Sequence, residues 1–197
     1  MKILHCDSNI AVCIKPVGAD SEHQMPLLIK EAVDGEVYTL HRLDKNVGGV
    51  MVYARTKAAA GELSRLIQNV GMVKEYIAQV HGTPPERGDW EDLLFKDSGK
   101  NKVFVVNRER KNVKKARLEY TRISSDGVSP ALVRVRLHTG RSHQIRVQFA
   151  SRGYPLLGDR KYGGKDEFAS PRLYSCRISF ELFGERMAFE HFPDWAE

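Results

Sequence analysis

Val133, Val135 and Leu137 alternate with Arg134, Arg136 and His138, and Tyr76, Ala78 and Val80 recur in the same way within Lys74 to His81. A period of two sends successive side chains to opposite faces, so each run is a β-strand with one packed and one wet face rather than a turn of helix. Half-buried strands of this kind persist only as members of a sheet whose packed face is covered. Segments with helical spacing are few beside them. The chain is therefore expected to be α+β, with a mixed, mainly antiparallel central sheet and flanking helices, and not a doubly wound parallel sheet.

The remaining elements follow from local chemistry. Ile10 to Ile14 reads as a strand ended by the turn Lys15-Pro16-Val17-Gly18, and Pro26 to Val33 as a short helix closed by Gly35. Val37 to Leu43 and Gly49 to Ala54 read as strands. Thr56 is placed to cap a helix whose Ala59, Ala60, Leu63, Leu66 and Ile67 recur at helical spacing, a scaffold element. Farther on, Ser142 is placed to cap a helix that carries Ile145 and Phe149 one turn apart and ends at Gly153. No repeat, low-complexity tract or clear linker divides the chain. Its 197 residues can bury an ample core without disulfide or metal support, so one domain over 1–197 is expected.

Charge narrows the choice of partner. The formal net charge is +6, and Lys96 to Arg117 alone holds nine basic residues against Asp97 and Glu109, a local +7 that leaves the rest of the chain close to neutral. Val103, Phe104, Val105 and Val106 interrupt the run, so part of it is expected to pair as a strand while the basic ends, Lys111, Lys114 and Lys115 among them, project. A projecting basic hairpin suits a polyanion, and counterion release makes such binding depend on salt. Cys6, Cys13 and Cys176 are odd in number and lack CxxC or Cys/His spacing, which argues against a disulfide framework and a structural zinc. The amino terminus reaches Asp7 before it can build a signal-peptide apolar region, and no apolar run approaches the roughly 20 residues of a spanning helix. A soluble, cytoplasmic protein without membrane contact is expected.

Two segments a hundred residues apart carry the chemistry: His41-Arg42-Leu43-Asp44, and Thr139-Gly140-Arg141-Ser142-His143-Gln144-Ile145-Arg146. In an extended segment Arg42 and Asp44 point to one face and Leu43 to the other, so cation and carboxylate are neighbours by geometry. Lys45-Asn46-Val47-Gly48-Gly49 then turns the chain, as a loop at a cleft edge does. The second segment sits at a strand-to-helix junction, where Arg141 and His143 accompany backbone N–H groups that suit an anion. Each feature taken singly has a plainer reading: a surface ion pair for Arg42 and Asp44, a core aromatic for Tyr76, structural hydrogen bonds for His41 and His143. Their order along one chain points elsewhere.

His41-Arg42-Leu43-Asp44-Lys45, with its glycine-containing turn and the apolar strand that ends in Ala54-Arg55-Thr56, resembles the signature of pseudouridine synthases of the RluA family. The resemblance extends over most of the chain. It takes in Ile14-Lys15-Pro16-Val17-Gly18, Lys74-Glu75-Tyr76-Ile77-Ala78 ahead of Val80-His81-Gly82, the segment Thr139 to Arg146, Gly153-Tyr154-Pro155-Leu156-Leu157-Gly158-Asp159, and Tyr162-Gly163. Two departures stand out: Val47-Gly48-Gly49 where the family commonly has Thr and then Ser or Gly, and Leu173-Tyr174-Ser175 where it often has Leu-His-Ala. The accessory RNA-binding module of many relatives has no room before Ile10, so RNA is expected to be gripped by the catalytic domain itself.

The resemblance implies the pseudouridine synthase fold and the isomerisation of an RNA uridine, in ribosomal or transfer RNA. The glycosidic C–N bond breaks, the uracil turns, and C5 joins the sugar. It implies neither metal nor cofactor, and GxGxxG, P-loop and metal-ligand spacings are absent from the chain. Carried over, Asp44 is the catalytic carboxylate, acting by covalent addition or by removal of a sugar proton. Arg146 is the buried arginine that pairs with it, Tyr76 the ring that stacks on the base, and Arg42 the residue that fills the gap left by the extruded nucleotide. Arg141, His143, Lys111, Lys114 and Lys115 are expected to meet RNA, and the protein to work as a monomer. A noncatalytic RNA-binding protein of the same fold is the main alternative, and a hydrolase using Asp44 with His41 or His143 ranks last because no nucleophile elbow accompanies it.

Overall fold

The computed structural model describes residues 1–124 and 130–196. In chain order it holds strands β1 (Lys2–Cys6) and β2 (Ile10–Lys15), helix α1 (Gln24–Ala32), β3 (Tyr38–Thr39), β4 (Gly48–Ala54), α2 (Lys57–Gln68), β5 (Val73–Val80), β6 (Arg87–Asp97), β7 (Lys102–Val106), β8 (Val113–Arg122), β9 (Ala131–Leu137), α3 (Gln144–Ala150), β10 (Leu173–Leu182) and β11 (Glu185–Glu190). β10 runs parallel to β4, whereas β1–β2, β2–β4, β3–β4, β10–β11, β6–β7, β6–β8 and β8–β9 are antiparallel. The α+β class and the mixed, mainly antiparallel pairing are thus as expected. Two compact units divide the chain, one of Met1–Glu75 with Tyr174–Glu197 and one of Tyr76–Leu173.

In the first unit the strands lie in the order β1-β2-β4-β10, with β3 on β4 and β11 on β10. β4 is buried along its whole length, and Val50 and Val52 pack with Ile10, Val12, Leu63, Met72 and Ile178. Helix α2 sets Ala59 and Leu63 into that core, and Thr56 caps it as expected, its Oγ1 accepting the Ala59 N–H at 3.1 Å. Helix α1 begins two residues before the expected Pro26, because a proline tolerates the first turn, where no intrahelical donor is required of it. The expected strand Val37 to Leu43 shrinks to Tyr38–Thr39. From Leu43 onward the backbone bonds to Ser21, Lys15 and Gly18 instead of a strand partner.

The second unit is a sheet in the order β5-β9-β8-β6-β7 with α3 against it. Val147 of α3 packs on Leu94, Val103 and Ala116, while the rings of Trp90, Tyr120 and Phe149 meet at centroid distances of 4.5 to 5.2 Å. β7 follows β6 through the turn at Ser98 to Asn101, so the basic run forms strands with projecting ends.

Ser142 does not cap α3. The N-cap is His143, in left-handed backbone (φ 52°), and its side chain makes no cap bond. Gln144 organises the junction from inside the helix, because its Oε1 accepts from Arg141 N–H (3.0 Å) and from Thr139 Oγ1 (2.8 Å) while its Nε2 donates to Arg117 O (3.1 Å). The far end is as expected. Gly153 (φ 85°) donates to Ala150 O at 3.1 Å and Tyr154 to Phe149 O at 3.0 Å, the paired closing bonds of a Schellman end. Among the described residues no helix is long and apolar enough to cross a membrane.

Candidate active site

Asp44 stands on a loop whose backbone is fastened residue by residue. Ser21 takes the place of a strand neighbour for Leu43: its Oγ accepts the Leu43 N–H at 3.1 Å and donates to Leu43 O at 3.0 Å. The Leu43 side chain is buried, which turns Arg42 and Asp44 outward, as the alternation predicts. On the other side of Asp44, Lys45 O accepts from Gly18 N–H at 2.7 Å and from Lys15 Nζ at 3.2 Å, and Val47 N–H closes the turn on Asp44 O at 2.9 Å. A carboxylate held this way has little backbone freedom to lose when it acts.

Two bases, Lys15 buried and His41 half-buried, shape the loop's surroundings. Lys15 has no exposed surface, and its ammonium donates to Ala19 O (2.8 Å), Pro16 O (3.0 Å) and Lys45 O. Burial pushes its pKa down to about 8, against the opposing pull of Asp20 and Asp44. His41 accepts the Val52 N–H on Nε2 at 3.3 Å, which ties the start of the motif to β4. Burial, with the Lys74 charge adding to it, pushes His41 down to about 3, so the imidazole is neutral and serves as a fixed acceptor. Arg42 is exposed and bonds Glu22 Oε2 at 2.7 Å.

In the second unit Arg146 and Asp159 form a bidentate pair, Nε to Oδ2 at 2.7 Å and Nη2 to Oδ1 at 2.8 Å, with only 4% and 1% of their side chains exposed. The Arg146 guanidinium lies 5.1 Å from the Tyr162 ring centroid. Tyr162 Oη accepts the Val103 N–H of edge strand β7 at 2.8 Å and lies 2.9 Å from His143 Nδ1. His143, expected as an RNA contact, thus stands beside the tyrosine that bonds edge strand β7. Tyr76 sits on β5 and is buried.

The hairpin's cations are not alike. Lys115 pairs with Glu109 at 3.6 Å, and Arg117 with Asp89 at 2.8 Å and Glu119 at 3.2 Å. Lys111 and Lys114 are exposed and form no ion pair among the described residues, and Arg141 donates from Nε to Lys115 O at 2.9 Å. Among the described residues no three His, Cys, Asp or Glu side chains converge as a metal site needs.

Sequence reasoning missed Lys15, Ser21 and Asp159. Lys15 was legible as a turn residue inside a matched segment but not as a buried donor; the signal was a lysine at the inner end of an apolar strand, directly before a proline that offers no N–H of its own. Asp159 stood inside a matched segment, yet nothing in the local spelling ties it to Arg146 thirteen positions away. Ser21 carried no signal.

Known proteins share both the sequence and the fold. The family model described as RNA pseudouridylate synthase matches residues 9–151. Dual-specificity RNA pseudouridine synthase RluA of Escherichia coli (strain K12) is 34% identical over 206 residues, 95% of this chain and 91% of that protein. Ribosomal large subunit pseudouridine synthase D of Vibrio cholerae serotype O1 is 36% identical over 171 residues, 78% of this chain and 51% of that protein. The solved structure of human RNA pseudouridylate synthase domain containing 4 matches with a TM-score of 0.81 at 26% identity, over 98% of this chain and 89% of that one.

Proposed function

Because the chain belongs to the RNA pseudouridylate synthase family and isomerises uridine in RNA to pseudouridine, we propose that Asp44 is the carboxylate that carries the reaction, on ribosomal or transfer RNA. The observation that carries the assignment is the fastening of the Asp44 loop. Ser21 holds both backbone groups of Leu43, and Gly18 and Lys15 hold Lys45 O, so a single acidic side chain is presented from a loop that does not need to reorganise. Simple phosphate binding would use no such carboxylate. Tyr76 is the ring that stacks on the uracil, and Arg146, already oriented by Asp159 and Tyr162, is the cation that pairs with the carboxylate. Arg42 leaves Glu22 to occupy the space of the extruded nucleotide, whose unstacking costs a few kcal/mol. Arg141, His143, Lys111, Lys114 and Lys115 serve the RNA backbone, and the two units act as one catalytic domain, a monomer in the cytoplasm.

The test is Asp44→Asn, a nearly isosteric change that removes the carboxylate required by covalent addition and by proton abstraction alike. Purified wild type is expected to form pseudouridine in transcribed ribosomal RNA fragments or transfer RNA, detected by carbodiimide-dependent reverse-transcription stops. The variant should bind the same RNA and melt at the same temperature, yet leave no stop. Turnover by Asp44→Asn above a small fraction of wild type would overturn the assignment.

A further inference from the structure

The sheet of the second unit sorts the basic run by face. Across β6 and β8, Leu94 lies opposite Lys114 and Leu93 opposite Lys115; across β6 and β7, Lys96 lies opposite Val103. Cross-strand partners share a face, and next neighbours along a strand do not. Lys96 and Lys114 therefore stand on the face of Leu94, Val103 and Ala116, the side that packs on α3, while Lys115 and Arg117 stand on the other. The carboxylates divide unequally. Glu109, Asp89 and Glu119 engage Lys115 and Arg117, whereas Lys96, Lys114 and Arg141 have no ion pair among the described residues.

Those three cations rim one cleft. It has a volume of about 410 Å³, Leu94 and Val103 line it, and Gly140 to Ser142 form its far wall. Arg141 is held over it by the Nε bond to Lys115 O, which leaves the outer guanidinium nitrogens as donors. No carboxylate and no aromatic ring lines the cleft among the described residues, so it offers neither a cation site nor a stacking platform for a base.

We propose that this cleft is a subsite for one phosphodiester of the substrate RNA, away from the reacting uridine, with Lys96, Lys114 and Arg141 around the phosphate and the sugar against Leu94 and Val103. The proposal rests on the RNA reading above and sharpens it. The α3-facing side of the basic hairpin supplies this discrete grip, and Lys96, counted in the basic run but not among its expected RNA contacts, is one of the three residues that form it.

The test compares Lys96→Gln/Lys114→Gln with Arg87→Gln/Lys165→Gln, an equal loss of charge at exposed positions of the same unit. All four side chains are exposed, so both variants should fold, and Arg141 keeps its anchor. Labelled RNA is titrated at several salt concentrations, and the RNA carries a neutral methylphosphonate at one linkage at a time. The cleft variant should bind about tenfold more weakly at low salt, with a slope of log affinity against log salt shallower by about 0.7, the share of one single-strand phosphate. KM should rise and kcat at saturating RNA should stay, since the contact is alike in ground and transition states. One neutral linkage should weaken the wild type about tenfold and the cleft variant, which keeps only Arg141 at that phosphate, several-fold less, as a shared contact requires. Equal weakening of both variants, or no linkage that behaves this way, would overturn the cleft in favour of a diffuse basic field. Binding that follows the prediction without any pseudouridine formed would overturn the catalytic assignment and leave the cleft standing; a wild type that binds no RNA would overturn the cleft.

Discussion

Lys15→Met is the substitution that most directly tests how the Asp44 loop is held. Methionine matches the length and packing of the lysine stem but donates nothing. Lys45 O keeps the Gly18 N–H and Pro16 O can reach water, so the group left stranded is Ala19 O, in a buried position. A stranded buried carbonyl costs about 1 to 3 kcal/mol, and each lost bond to a charged donor about 1.5 to 3 kcal/mol, from which relief of ammonium burial is subtracted. A net loss of about 3 kcal/mol lowers the melting temperature of a chain this long by roughly 6 to 12 °C. The pH dependence gives a second reading. The unfolded chain keeps the Lys15 proton up to about pH 10.4, whereas the folded chain releases it near 8. Between those values the unfolded state binds more protons, so rising pH stabilises the wild type through this group, and the variant lacks the gain. The gap between the two proteins should therefore widen from about pH 8 to 10, read by urea unfolding monitored by circular dichroism. A variant that melts within about 2 °C of wild type near neutral pH, with a constant gap across that window, would refute the reasoning.

Three further outcomes follow from the same geometry. Arg146→Ala leaves Asp159 charged, unpaired and buried, so it should lose about 3 to 5 kcal/mol of stability as well as activity; normal melting would show that the pair does not bear on the fold. The His41 imidazole, held near a pKa of about 3, should show a ring-proton NMR shift that stays flat from about pH 5 to 8, and a titration near the ordinary 6.5 would contradict its burial. Glu22→Gln releases Arg42 from an exposed pair that contributes less than about 1 kcal/mol, so melting should not move while KM for RNA falls; a clear loss of stability would show that the pair is structural.

The parts of the molecule legible in the sequence were those with a short-range period or a local spelling. β9 and β5 were visible because a half-buried strand repeats every second residue, and α2 because its apolar positions and Thr56 cap lie within one window. What escaped was set by contacts between distant residues. The Val37 to Leu43 segment has strand composition, yet from Leu43 onward its hydrogen bonds go to Ser21, Lys15 and Gly18, so no ladder forms. Ser142 has the chemistry of a cap, but Gln144 outcompetes it because its amide reaches Thr139, Arg141 and Arg117 O together. The hairpin's charge was visible as a sum. Its division into a neutralised face and an unpaired face appeared only with the register, since a shift of one residue would exchange Lys114 and Lys115.

The two places where the chain leaves its family's pattern also meet. Val47-Gly48-Gly49 and Leu173-Tyr174-Ser175 lie far apart in sequence, yet Gly48 pairs with Tyr174 and Gly49 with Ser175 in the parallel contact of β4 and β10. Gly49 has φ 127°, and a Cβ there would stand 2.3 Å from Ser175 O, so no side chain fits without parting the strands. A Cβ on Gly48 would touch the Tyr174 ring at 3.5 Å and Lys15 O at 3.2 Å. The close approach is used: Ser175 Oγ donates to Val50 O at 3.0 Å, and the Tyr174 hydroxyl lies 2.7 Å from His191 Nδ1. The Gly49 clash is with the backbone of Ser175 and would arise with any residue there, whereas the Tyr174 ring stands at ordinary contact distance from a Gly48 Cβ. The two departures thus face each other across the strand that leads directly out of the Asp44 turn, and neither supplies the bonds that hold that turn, which come from Gly18, Lys15 and Ser21.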